Sequence, residues 1–240
     1  MSERTLSVCT IMQDEEESIV WYLECCRRLH VDLGDRLREV ILVDGGSIDR
    51  TLDVVLERTG DLPVTVLERP FDCVRDQWNF GLEHCTGEWV FGPDADFTWT
   101  TNLAAVFDAG VYDASDYWQM RIWYVGDDKT YYPENCGGYN LRLWRAGVRW
   151  AEHRQYHCLM TGQPEHAPVC PHVICCENSL RIKSERALLH RGRRRQHYAD
   201  ALAAEGMGPG PVDRFVVAKS SRERVPIPDD VQPFLGEWAQ

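Results

Sequence analysis

Residues 88–96 read Glu88-Trp89-Val90-Phe91-Gly92-Pro93-Asp94-Ala95-Asp96, so that an apolar segment ends in two carboxylates one residue apart. Mg²⁺ and Mn²⁺ prefer oxygen ligands, and Mg²⁺ held by one or two carboxylates keeps positions free for phosphate oxygens. The segment therefore predicts a divalent-metal site that binds a diphosphate. A polar turn without a metal is the alternative, because Asp is common in turns.

Before residue 88 the chain alternates between segments of strand and of helix character. Apolar runs predict four buried strands, at residues 6–11, 39–43, 62–67 and 88–91. Helical spacing predicts three intervening helices, at residues 15–29, after a cap at Ser47 or Asp49, and at residues 74–85. This alternation predicts an α/β fold with a doubly wound, mainly parallel sheet. Ligands of such sheets bind at the carboxyl ends of the strands, so the Gly45-Gly46 turn and the aspartate pair are expected to share one crevice.

After residue 100 the pattern changes. Aromatic-rich segments at 117–124 and 139–144 predict a smaller antiparallel sheet, and the polar loop 125–138 between them is interpreted as a lid or a plain connector. Residues 191–205 have helical character, and prolines make the last fifteen residues an extended arm. We therefore expect a first half at 1–100, a second half of the same domain at 101–190, and a C-terminal helix and arm at 191–240.

Composition limits the compartment and the partners. The 240 residues are 44% hydrophobic, which is enough for a full core. No signal-like segment begins the chain, and no apolar run approaches the roughly 20 residues that span a bilayer. Ten cysteines without a signal predict reduced thiols in the cytoplasm and few or no disulfides.

The net charge of −12 conceals an uneven distribution. Residues 181–224 contain eleven Lys and Arg against five Asp and Glu, a balance of +6 that leaves −18 on the remainder. A basic segment of this kind can face a lipid diphosphate, a membrane surface in peripheral contact, or a nucleic acid. A solvated helix face explains it equally well.

Four motifs occur in a recognisable order along the first hundred residues. They are Leu6-Ser7-Val8-Cys9-Thr10, Ile41-Leu42-Val43-Asp44-Gly45-Gly46-Ser47-Ile48-Asp49-Arg50-Thr51, Asn79-Phe80-Gly81-Leu82, and Gly87-Glu88-Trp89-Val90 before Asp94-Ala95-Asp96. Together they resemble the family 2 glycosyltransferases of the GT-A fold. The resemblance covers roughly residues 5–100 and implies a nucleotide-diphosphate sugar donor, with uridine as the expected base.

The resemblance also implies roles for individual residues. Asp44 would accept a hydrogen bond from the pyrimidine ring, although Asp also favours turns, and backbone near Thr10 and Ile11 would line the base pocket. Arg75 would lie near the base or diphosphate, unless it is a surface arginine. The donor-binding set is completed by Asp94, and Asp94 and Asp96 would position Mg²⁺ or Mn²⁺, with Asp96 as the more direct and catalytic ligand.

Three segments of the second half are Tyr139-Asn140-Leu141-Arg142-Leu143-Trp144-Arg145, residues 150–157 and Leu188-Leu189-His190. Together they resemble segments of the short bacterial enzymes that extend lipopolysaccharide cores. By that resemblance His190 is a third candidate metal ligand, and His157 ranks behind it. Where the relatives carry a glutamate this chain has Cys158, so the general base of an inverting transfer is open. Glu152 is the nearest candidate in sequence, followed by Glu134 and Glu165.

One further cluster fits no pattern of the family. Seven potential zinc ligands lie within twenty residues: His157, Cys158, His166, Cys170, His172, Cys175 and Cys176. Their spacing is not a paired C-x-x-C arrangement, so structural zinc is a secondary hypothesis.

The leading interpretation is a metal-dependent hexosyltransferase that acts on a hydroxyl acceptor. A glycan or lipid-linked sugar is the expected acceptor, and a DNA hydroxyl is the alternative that the basic segment permits. An inactive scaffold that binds nucleotide or polyanion is the competing class, because of Cys158. A nucleotidyltransferase is disfavoured, since no glycine-rich basic loop follows the first strand.

Overall fold

A computed structural model describes the part of the chain that forms the sheet and its covering helices. The described residues are 4–99, 103–108, 110, 114–124, 130–131, 139–151, 160–164, 166–177, 184, 186–187, 189–190, 192–193, 196–197, 200 and 225–226.

The first half contains the alternating elements that the sequence predicts. In chain order they are β1 Leu6–Met12, α1 Ile19–Leu33, β2 Leu37–Asp44, α2 Thr51–Arg58, β3 Val64–Glu68, α3 Val74–Leu82 and β4 Trp89–Phe91. The second half adds β5 Phe97–Trp99, α4 Leu103–Asp108, β6 Tyr117–Tyr124, β7 Thr130–Tyr131, β8 Tyr139–Arg145, β9 Val169–Glu177 and β10 Val225–Pro226. Within the predicted helix 191–205, the described positions are helical.

Eight strands form one sheet in the order β3-β2-β1-β4-β8-β6-β9-β5. The first four strands are parallel to one another. The antiparallel strands β8 and β6 continue the same sheet beyond β4, and a separate two-stranded sheet joins β7 to β10. The strand order reverses between β1 and β4, because the chain moves outward through β2 and β3 before it returns to the other side of β1. Such a reversal is where open α/β sheets bind ligands.

Apolar residues cover both faces of the sheet, as expected for buried parallel strands. On one face Val8, Val40 and Leu42 pack with α1 in a core that includes Tyr22. On the other face, the neighbouring strand residues Cys9, Ile41 and Val43 point the opposite way. They pack with Trp78 of α3 and Trp144 of β8. Helices α1 and α3 therefore cover opposite faces of the sheet. The loops that follow the strands lie at its carboxyl edge.

Helix α1 begins at Ile19, four residues later than predicted. The backbone N–H groups of residues 14–16 donate to side chains of the loop after β2, namely Ser47, Thr51 and Asp49. A turn follows, in which the Ser18 N–H donates to the Glu15 carbonyl at 3.0 Å. The helical periodicity of residues 15–18 is therefore overridden by hydrogen bonds to a distant loop.

The described residues show the state of most cysteines and the character of the helices. None of the cysteines whose side chains are described forms a disulfide: Cys9, Cys25, Cys26, Cys73, Cys85, Cys170 and Cys175. None of the helices in the described ranges has the length and apolar character that crossing a bilayer requires.

Candidate active site

The aspartate pair lies at the strand reversal. Residue Asp94 follows β4, and β4 pairs with β1, which in turn pairs with β2. On the other side of β1, Met12 is in register with Asp44 at the end of β2. The carboxylates that the sequence analysis singled out therefore flank the end of β1 at one edge of the sheet.

Arg142 of β8 binds Asp94 with both guanidinium NH groups. Its Nη1 donates to Oδ1 at 2.9 Å and its Nη2 to Oδ2 at 2.6 Å. Nη1 also donates to the Gly92 carbonyl at 3.0 Å, and the guanidinium lies 4.8 Å from the centre of the Phe97 ring. The Arg142 side chain is 11% exposed, whereas that of Asp94 is 42% exposed. The arginine is thus enclosed by protein, while Asp94 keeps one side towards solvent.

Arg142 is not among the predicted site residues. One signal was available, since Arg142 lies between Leu141 and Leu143 in an apolar strand. A charged residue at such a position is rarely buried without a partner. Burial acts to lower the pKa of Arg142, but the charges of Asp94 and Asp96, together with the hydrogen bonds to Asp94, hold that pKa above its ordinary value.

Asp96 is more enclosed than Asp94, with 4% of the residue exposed. The Phe97 N–H donates to the Asp94 carbonyl at 2.9 Å, which closes a tight turn around Ala95 and starts β5 at once. Strand β5 was not predicted, and its partner β9 lies more than seventy residues away in the chain. This pairing decides where the Asp94–Asp96 turn stands relative to the sheet.

The side chains of Thr10 and Asp44 both have partners within the protein. The Thr10 hydroxyl lies 2.5 Å from Tyr22 Oη and donates to the Pro93 carbonyl at 2.7 Å. The Asp44 carboxylate accepts from the backbone N–H groups of Gly46 and Ser47, both at 2.9 Å, and from the Ser47 hydroxyl. Asp44 therefore shapes its own glycine turn, which is the turn role that the sequence analysis left open beside base recognition. Its role towards a base remains a prediction.

Ile11 lies in β1 next to Thr10, half-buried against the α3 face of the sheet. The strand continues to Met12, whose carbonyl accepts the Gly45 N–H at 2.8 Å. Backbone of β1 thereby reaches the glycine turn, and its role in a base pocket remains a prediction.

Arg75 lies in the first turn of α3, where its Nε donates to Asp76. Nearby, both Nη groups of Arg69 bind the Asp72 carboxylate at 2.8 and 2.9 Å. Asp72, Cys73 and Asp76 form the one group of three potential ligands that converge within 4.8 Å among the described residues. Arginines already neutralise both of these carboxylates, so this group is an ion-pair network at the start of α3.

His190 lies beside the loop after β1. Its Nδ1 is 3.6 Å from Oδ2 of Asp14, a residue with a left-handed φ of 54° whose other oxygen accepts the Ile48 N–H. The structure thus places His190 at the carboxyl edge of the sheet. Within the described ranges, it forms no three-ligand group with Asp94 and Asp96, and its role as a metal ligand remains a prediction.

Strand β9 contains four members of the candidate zinc cluster, and the side chains of two of them, Cys170 and Cys175, are described. Both are buried in the core on the α1 face, and burial raises the pKa of the Cys175 thiol to about 12. Among the described side chains, neither belongs to a group of three potential metal ligands that converge within 4.8 Å. The described residues therefore give structural zinc no support. His157 and Cys158 lie outside the described residues, as do the base candidates Glu152, Glu134 and Glu165.

The aspartate turn suits a hard divalent cation. A carboxylate offers about four lone-pair positions, and the bidentate pair with Arg142 occupies only some of those on Asp94. Mg²⁺ and Mn²⁺ bind through one or two carboxylates when phosphate oxygens and water complete the shell. Asp94 and Asp96 would supply those carboxylates, and no third protein ligand is required.

The profile described as Glycosyl transferase family 2 matches residues 7–161, which is more than half of the 240 residues. The chain belongs to glycosyl transferase family 2. The family match and the strand order described above together confirm the expected α/β fold of the GT-A type. Among curated proteins, nothing matches this family 2 chain.

Several solved structures are similar to parts of this chain. S. aureus TarS 1-349 is 18% identical, with a TM-score of 0.47 over 62% of this chain and 50% of that one. TarS solved with UDP is 22% identical, with a TM-score of 0.42 over 50% and 36% of the two chains. Glucosyl-3-phosphoglycerate synthase from Mycobacterium tuberculosis, solved with Mn²⁺, UDP and glucosyl-3-phosphoglycerate, is 19% identical, with a TM-score of 0.40 over 54% and 47%. The family 2 chain thus spans half or less of the length of these proteins.

Proposed function

We propose that this chain transfers a sugar from a uridine-diphosphate donor to a hydroxyl acceptor, with Mn²⁺ or Mg²⁺ as cofactor and inversion at the anomeric carbon. One observation carries the proposal: in a family 2 chain, Asp44 and the Asp94–Asp96 turn flank the end of β1 at the strand reversal. Open α/β sheets bind ligands there. The base would lie towards Asp44 and the diphosphate towards Asp94 and Asp96.

Each group would then have a defined role. Asp44, already oriented by three hydrogen bonds from Gly46 and Ser47, would accept a hydrogen bond from the uracil ring. Asp94 and Asp96 would hold the cation and so orient the diphosphate. When bound, the cation would stabilise negative charge on the leaving nucleoside diphosphate. Arg75, which pairs with Asp76 in the first turn of α3, is the proposed basic residue near the base or diphosphate.

The acceptor half of the proposal rests on the resemblance of residues 139–190 to enzymes that extend lipopolysaccharide cores. A glycan or lipid-linked hydroxyl is the proposed acceptor, and a hydroxyl on DNA is the alternative. A carboxylate must take the acceptor proton as its oxygen attacks. Glu152 is the proposed base, because Cys158 stands where the relatives carry glutamate.

The test is a panel of nucleotide sugars, each incubated with the protein and Mn²⁺, with released nucleoside diphosphate as the readout. We expect release from a UDP-sugar, its loss on chelation of the metal, and at least a hundredfold loss in Asp96→Asn. Asp116→Asn is the matched control, since Asp116 is an exposed acid that pairs with Arg145 away from the site. Full activity of Asp96→Asn would contradict the proposal. Binding of UDP with Mn²⁺ but no release from any donor would identify the inactive scaffold instead.

A further inference from the structure

The ion pair between Arg142 and Asp94 has a well-defined geometry. The two residues are 48 positions apart, and three hydrogen bonds hold the guanidinium, two to the carboxylate and one to the Gly92 carbonyl. The Nε of Arg142 is buried and has no hydrogen-bond partner among the described residues. A planar fork of this kind fixes both the position and the orientation of a carboxylate.

Arg142 lowers the net negative charge of the aspartate turn. The two aspartates would present two negative charges, and the guanidinium lowers that to one. A nucleoside diphosphate carries about three negative charges near neutral pH, roughly two of them on its terminal phosphate. Together with a divalent cation it keeps about one. A site with two negative charges attracts the free cation more strongly but repels the metal-bound nucleotide more strongly as well.

We infer that Arg142 is a positioning residue that holds Asp94 and lowers the negative charge of the aspartate turn so that it accepts a metal-bound nucleoside diphosphate. The inference rests on the proposed function, and it deepens that function by separating the binding of free metal from the binding of metal and nucleotide together.

The experiment compares two affinities in each variant. Mn²⁺ binding to the protein alone is measured by electron paramagnetic resonance, and UDP binding at saturating Mn²⁺ by calorimetry. In Arg142→Met we expect UDP to bind at least tenfold more weakly, because charges a few ångströms apart interact strongly near a protein surface. Mn²⁺ alone should bind as tightly as in the wild type or more tightly. A purely structural role would weaken both affinities in the same proportion, and that result would overturn the inference, as would unchanged UDP affinity.

Arg142→Lys keeps the charge and loses the fork, and it also serves if Arg142→Met does not fold. We expect its UDP affinity to lie between those of the wild type and Arg142→Met, because the charge is retained while the bidentate hold on Asp94 is lost. A UDP affinity in folded Arg142→Lys as low as that of Arg142→Met would overturn the inference. If Arg142→Met does not fold, Mn²⁺ and UDP affinities that fall in the same proportion in Arg142→Lys would overturn it.

Arg145→Met is the matched control, because Arg145 lies on the same strand, pairs with Glu88 and sits 4.3 Å from the Trp89 ring. It should leave both affinities unchanged. Wild-type protein that binds no UDP with Mn²⁺ would refute the proposed function, and this inference with it. Wild-type binding that Arg142→Met leaves intact would refute the inference alone.

Discussion

The hydroxyl of Thr10 donates a hydrogen bond to the carbonyl of Pro93 at 2.7 Å, across 83 positions of the chain. Thr10 is fully buried in β1, and Pro93 directly precedes Asp94. The bond therefore ties the aspartate turn to the end of the central strand. Through this bond Thr10 contributes to the position of the aspartate turn by its side chain.

Thr10→Val should lower the free energy of unfolding by about 1–3 kcal/mol, because it removes a hydrogen bond from a buried carbonyl at nearly constant volume. Urea denaturation measures the change. Thr10→Ser is the control, since it keeps the hydroxyl and loses only a methyl group, and it should lose less. If the valine variant is as stable as the serine variant, the bond to Pro93 contributes nothing.

Asp44→Asn and Asp49→Asn form a matched pair. Each carboxylate accepts three hydrogen bonds in the loop between β2 and α2, Asp44 from Gly46 and Ser47, and Asp49 from Glu16 and Thr51. Both variants should lose about 1 kcal/mol of stability. Only Asp44→Asn should weaken UDP binding, by at least tenfold in calorimetry with Mn²⁺. Equal UDP affinity in the two variants would leave Asp44 as a turn residue only.

Gly92→Ala should destabilise the fold next to the site. A Cβ at Gly92 would overlap the six-membered ring of Trp144, coming within 2.9 Å of its Cζ3. Overpacking of this kind costs about 1–3 kcal/mol in thermal or urea unfolding. In a Trp144→Phe background the penalty should fall by at least half, because the shorter ring does not reach the added methyl group.

Gly34→Ala is the control for this pair. Its φ of 56° strains any side chain, but none of the described residues lies within 4 Å of its Cβ position. Its penalty should be the same in both backgrounds. A Gly92→Ala penalty that is undiminished in the Trp144→Phe background would mean that the close approach to the tryptophan ring is not the cause.

Stability should fall steeply in alkaline solution. Burial raises the pKa of the Cys25 and Cys175 thiols from an ordinary 9.0 to about 12. Above about pH 9 the unfolded chain loses these protons while the folded chain keeps them, so the stabilisation present below pH 9 is lost as pH rises towards 12. Each thiol contributes a slope of about 1.4 kcal/mol per pH unit.

Urea unfolding between pH 9 and 11 checks this expectation. Cys25→Ala and Cys175→Ala should each flatten the decline by about one such slope. Val8→Ala removes buried packing without a titratable group, so its penalty should be independent of pH. A decline that is equally steep in all three variants would show that these thiols do not cause it.

Local pattern was sufficient for the core of the first half. Residues 6–11 and 39–43 were predicted as strands, and β1 and β2 occupy Leu6–Met12 and Leu37–Asp44. Runs of apolar residues bounded by turn residues indicate buried strands, and this signal needs no knowledge of the partner strand. The same is true of Asp94 and Asp96, because their chemistry and their place after a strand are both visible in nine consecutive residues.

Contacts between segments that are distant in the chain could not be predicted from local sequence pattern. Helix α1 starts at Ile19 because the N–H groups before it bind Ser47, Asp49 and Thr51. The partner of Asp94 is Arg142, and the strand that follows the aspartates pairs with β9. Hydrophobic periodicity reports only which face of a segment is buried, whereas these contacts depend on how the whole sheet is ordered. The sequence thus indicated candidate residues for a donor site, and the folded sheet established which charges stand beside them.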